Sequence, residues 1–154
     1  MYHAALVLHS FLRWFVVIFG VAAVFGAARG WTGGRAWGRG DRTLGLLFVT
    51  ALDLQVTIGL LLYFVLSPFG QMLMENPGAA MANRLARFWT VEHVALMVAA
   101  LALTHVGQVK ARHGATSEVR HRAVVLYFTL AMLLILAGLP WPFLSYGRPW
   151  LRLN

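Results

Sequence analysis

Two histidines stand where coordination chemistry is conceivable. His9 lies in LVLHSFLRW, near the start of the first apolar run, and His93 lies about as far into the third, in RFWTVEHVALM. If those runs are helices crossing a membrane in alternating directions, the first and third point the same way. Each imidazole then sits on the order of 8–10 Å below the same surface, at 1.5 Å of rise per residue. In an antiparallel bundle of four helices the first and third are diagonal partners across the core. Two imidazoles level on that diagonal can meet a planar macrocycle from both sides, and histidine is a common axial ligand of haem iron. The expectation is one haem b, held by His9 and His93. The competing reading is that each ring bonds a neighbouring helix, worth ~0.6–2 kcal/mol.

Charged groups cluster near these histidines. His9 and Arg13 are four residues apart on one helical face. A cation a further turn inside the membrane costs ~2.5–3.5 kcal/mol unless it snorkels or finds an anion. Glu92 could supply that anion, and so could a haem propionate. Arg84 and Arg87, at the mouth of the third run, are placed either for propionates or as plain interfacial anchors.

A second set of polar residues falls at the other end. Asp53 and Gln55, with Thr50, come from the second run, His105 from the third and His121 from the start of the fourth. An intramembrane carboxylate is a functional candidate by default. Asp53 near His105 or His121 would suit a proton relay or a quinone headgroup site. The alternative is a structural ion pair between Asp53 and Arg42, Arg120 or Arg122. His105 follows His93 by twelve residues, about 18 Å of rise and about 120° of rotation. It therefore leaves the His93 face, and a second haem is not expected.

The elements that must position these residues follow from composition. The chain has 154 residues, 60% of them hydrophobic, with a mean hydropathy of +0.70. Only 12% are charged, where a soluble domain has about a quarter. Four apolar runs, near 2–28, 44–66, 88–109 and 123–139, are each long enough for a hydrocarbon core of ~30 Å. Lipid offers no partner to unpaired backbone groups, so helices are expected. The fold class is all-α, a single four-helix membrane bundle running up-down-up-down. The linker SPFGQMLMENPGAAMANR has room for a short interfacial helix, and Pro140 and Pro142 end the fourth run. The first run lacks a basic leader and a small-residue cleavage site, so it is expected to stay in the mature protein.

With no cysteine, disulfides, iron–sulfur clusters and thiolate catalysis are excluded. The net charge of +8 does not point to nucleic acid, because the basic residues are scattered over short loops. They read as topogenic charges near lipid headgroups. Arg29, Arg35, Arg39, Arg42, Lys110, Arg112, Arg120 and Arg122 fall on one side. Arg84, Arg87, Arg148 and Arg152 fall on the other, with Arg13 inside the first run. That bias leans both termini away from the cytoplasm, in a bacterial inner membrane.

Taken in order, LHSFLRW (8–14), LQVTIGLLLYF (54–64), RFWTVEHVALM (87–97) and AGLPWPF (137–143) resemble a group of small four-span bacterial membrane proteins labelled cytochrome b or cytochrome b-like. The resemblance covers most of the chain. It implies a membrane haem protein with His9 and His93 at the positions of the motif histidines, and less directly a role for His105 and His121. Three readings are open. The first is a b-type cytochrome passing single electrons between a quinol pool or an outer carrier and a partner subunit. The second is a cofactor-free accessory subunit of a larger respiratory or photosynthetic complex. The third is an oxidoreductase acting on quinones or haem precursors at Asp53, His105 and His121. Lipid, other redox subunits and quinone are the expected partners; a homo- or hetero-oligomer is compatible with all three.

Overall fold

The computed structural model describes residues 1–151. Helix α1 spans Tyr2–Thr32 and α2 spans Arg39–Leu61, prolonged by a π-helical turn at Leu62–Leu66. Three short helices follow: α3 at Pro68–Glu75, α4 at Pro77–Ala82 and α5 at Arg84–Arg87. A second π-helical turn, Phe88–Glu92, leads into α6 at His93–His113, and α7 spans Ser117–Gly138. α1, α2, α6 and α7, with their π turns, are long and apolar enough to cross a membrane. The chain is an all-α, multi-pass membrane protein.

The helices run further than the apolar runs. At 31 residues, α1 is about 46 Å long, well beyond a ~30 Å core. Backbone hydrogen bonding does not stop where polarity begins, so Arg29, Arg39, Lys110 and Arg120 lie in helix ends rather than in loops. The inner connections shrink to residues 33–38 and 114–116. The first turns tightly at Gly34, where φ is +62° and a side chain would be strained.

Asp41 sets the start of α2. Its carboxylate accepts the Gly38 N–H at 2.9 Å and both Arg35 guanidinium nitrogens, at 2.9 and 2.6 Å. A carboxylate in the first turn also suits the positive end of the helix dipole. The same pairing holds the Arg35 guanidinium above its ordinary pKa. Asp41→Ala removes the acceptor for Gly38. It is expected to cost about 1–2 kcal/mol, the range for a lost cap, read as a lower thermal midpoint in detergent. Arg35→Ala should cost at least as much, because it leaves the buried Asp41 carboxylate without its charge partner.

Packing follows the short connections. α1 lies against α2 and α7, α6 lies against α7 and, less closely, α2, and α1 faces α6 diagonally. At the centre the rings of Phe48 and Phe128 meet at 5.0 Å and 62°, both fully buried. Val16, Leu52, Ala131 and Ile135 surround them. Lipid removes the hydrophobic drive between helices, so close approach must come from small residues and shape. Gly20, Ala23, Ala27 and Gly30 give α1 such a face. The outward faces are apolar, as with Phe11, Ile18 and Phe25 on α1 and Leu126, Leu130 and Leu133 on α7.

The end of the bundle that holds Tyr2 and Gly138 is built differently. The linker after α2 holds three short helices rather than one, each with its own cap. Ser67, Asn76 and Asn83 accept the N–H groups of Phe69, Ala79 and Ala86, and prolines follow the first two caps. The two π turns flank this segment, and the Tyr63 hydroxyl ties them by donating to the Thr90 carbonyl at 2.9 Å. Such turns widen a helix locally and often occur at functional sites.

Candidate functional site

A cavity of about 150 Å³ lies toward that same end, between the four long helices. The lining comes from α1 through His9 and Arg13, from α2 through Gln55 and Gly59, and from α6 through His93 and Met97. The π turns contribute Tyr63 and Trp89, and the segment after α7 contributes Arg148. Val98, also in the lining, is half exposed, so the cleft opens alongside α6. The loosely packed α2–α6 seam is thus its natural mouth.

Both sequence-singled histidines face this space. The rings of His9 and His93 are 6.4 Å apart between centroids, at 73° to each other. His93 Nδ1 donates to the Gly138 carbonyl oxygen at 2.8 Å, which leaves the Nε2 lone pair free. A hydrogen bond of that kind orients metal-ligating histidines. His9 is held by lack of space: a Cβ at Gly59 would stand 3.0 Å from His9 Cε1. Phe88 and Trp89 pack on His93 at 5.8 and 5.5 Å.

The cavity is short of partners. Among the described residues, six buried side-chain nitrogens or oxygens lack a hydrogen bond, and four belong to its lining: His9 Nδ1, Arg13 Nε, Gln55 Oε1 and Trp89 Nε1. Buried polar groups are rarely left so, and four together mark this cavity as a polar one.

The expected cations are rearranged. Arg13 does not pair with Glu92. It donates to the Trp150 carbonyl at 2.7 Å, where Trp14 Nε1 also donates at 3.0 Å, so the C-terminal segment folds back over the site. Glu92 is taken by Arg87 at 2.7 Å, and Arg84 lies over the Tyr146 ring at 5.8 Å. Neither Arg84 nor Arg87 reaches the cavity lining. Arg148 does, lying over Trp89 at 5.1 Å. In sequence Arg148 is only one more interfacial basic residue, and its nearness to the GLPWPF turn is the sole hint of its place. Arg152, counted for orientation, lies outside the described residues.

The second polar set separates into three places. Gln55 turns inward to the histidine cavity, because two residues along a helix is about 200° of rotation from Asp53. Asp53 pairs instead with His105, at 2.8 Å, on the outward surface of the bundle. His121 is fully buried at the inner end, 3.6 Å from Asp41 and 4.9 Å from the Trp37 ring centroid. Its ring lies against Gly30, which leaves no room there for a side chain. Nor do the proposed arginine partners reach Asp53. Arg120 donates to the Gly114 carbonyl at 2.7 Å and Arg122 lies over Trp31. Compared with known proteins, the chain matches no family model, no curated protein and no solved structure.

Proposed function

We propose that the chain is a membrane b-type cytochrome that binds one haem b through His9 and His93. The observation that carries this reading is the pair of imidazoles, presented from diagonal helices at 6.4 Å over a cavity with unpartnered polar atoms. His9 and His93 would be the residues that hold the iron, since histidine is a usual haem ligand. The resemblance of its motif order to four-span proteins labelled cytochrome b adds to it.

Each side chain then has a task. His93, with its Nδ1 proton given to Gly138, offers Nε2 as a ligand, and His9 offers the opposing one. Arg13 and Arg148 bring positive charge to the cavity lining, where the acidic edge of a haem would be neutralised. Val56, Leu60, Val94 and Ile135 keep the centre dry. A haem there would supply reversible one-electron chemistry at the iron. The cavity of about 150 Å³ is smaller than a whole tetrapyrrole, so binding requires α2 and α6 to part along their seam. The Lys/Arg bias supports a bacterial inner membrane with both termini outside the cytoplasm. A quinol pool or a redox subunit would be the electron partner.

Purified protein is expected to carry about one haem per chain, with Soret and α bands in a reduced-minus-oxidised spectrum. A chain expressed with ample haem that shows neither band defeats the reading and leaves the cofactor-free subunit in its place.

A further inference from the structure

Asp53 lies roughly 20 Å from either end of the Arg39–Leu66 span, at 1.5 Å per residue, and is thus near mid-membrane. The side chains of Asp53 and His105 are nevertheless 44% and 50% exposed on the outer face of the bundle. Ionisable groups at this depth ordinarily face a protein interior or a polar cavity. This pair faces what would be hydrocarbon.

A net charge here is costly, so the pair is stable only when electrically neutral, with one proton between carboxylate and imidazole. The inner bond joins Asp53 Oδ1 to His105 Nε2. The neutral pair then presents one outward donor, His105 Nδ1–H, and one outward acceptor, Asp53 Oδ2. Neither atom has another partner among the described residues. A donor and an acceptor side by side are complementary to themselves after a twofold rotation, since each copy's Nδ1–H can meet the other's Oδ2.

The flanking residues allow that approach. On α6, exposed Ala102 lies three residues and about 60° round the helix from His105, on the same side. A small residue so placed lets helix backbones come close in lipid. On α2, exposed Thr50 and Thr57 lie on the Asp53 face and offer further hydroxyls. We propose that this α2–α6 face is a homodimer interface, in which Asp53 and His105 of two copies bond reciprocally across a twofold axis.

The chain has no cysteine, so single-cysteine cross-linking in intact membranes is clean. Ala102→Cys, or Thr57→Cys should the first fold poorly, is expected to give a disulfide-linked species of twice the chain mass on mild oxidation. Ile18→Cys and Leu133→Cys, exposed on α1 and α7, are expected to stay monomeric. Adding His105→Leu to Ala102→Cys should lower the yield roughly three- to tenfold. The proposal is overturned if both interface cysteines stay monomeric or link no better than the controls. Linking to a host protein of different mass, or a yield indifferent to His105→Leu, overturns it equally.

Discussion

His93→Ala is expected to lower haem content at least about tenfold, since loss of an outer-shell partner alone can cost that much metal affinity. On the proposed reading the change removes a haem ligand, and it leaves the Gly138 carbonyl without its donor. His9→Ala should do nearly the same, because neither ring can substitute for the other across 6.4 Å. The readout is the pyridine haemochrome per chain, alongside helix content by circular dichroism. Added imidazole should restore much of the α band in both variants, by occupying the space the side chain vacated. Rescue separates a ligand from a packing residue. Unchanged haem in either variant would remove that histidine from the site.

Gly107→Leu is the second large effect expected, and it concerns the scaffold. A Cβ at Gly107 would stand 2.6 Å from Tyr127 Cβ and 3.1 Å from the fully buried Phe128 ring. Tyr127 Cβ cannot swing aside, because it is fixed to the α7 backbone. α6 and α7, the most extensively packed pair, must separate. Overpacking of this kind costs about 1–3 kcal/mol or more, and a leucine adds further volume. The expected result is a clear fall in thermal midpoint and in yield of monodisperse protein. Gly40→Ala is the control, as nothing lies within 4 Å of where its Cβ would stand and helix propensity favours alanine. Equal midpoints for the two variants would mean that the close α6–α7 contact is not needed.

The histidine pair was legible because two independent regularities coincide. Helical rise sets depth, and alternating direction puts the first and third spans on a diagonal. The Asp53, Gln55, His105 and His121 set was legible only in part: Asp53 does meet His105, but Gln55 and His121 stand elsewhere. Rotation about α2 turns Gln55 into the cavity, and His121 lies beside Asp41, twelve residues and about 18 Å along α2 from Asp53. Helical phase already separates Asp53 from Gln55. The pairing of His121 with Asp41 had no comparable signal, since it depends on the turn that brings Trp37 and Ser117 together through a 3.0 Å hydrogen bond.

By itself the sequence determined that this is an all-α chain with four spans, and which two imidazoles lie at one depth. Apolar run length and the need to satisfy backbone groups in lipid are local constraints, readable residue by residue. Tertiary structure alone decided that Arg13 is held by the Trp150 carbonyl, that Arg148 replaces Arg84 and Arg87 at the cavity, and that π turns flank it. These depend on how the C-terminal segment folds back and how far each helix is rotated. Contacts between residues more than a hundred positions apart follow from packing, which no local pattern encodes.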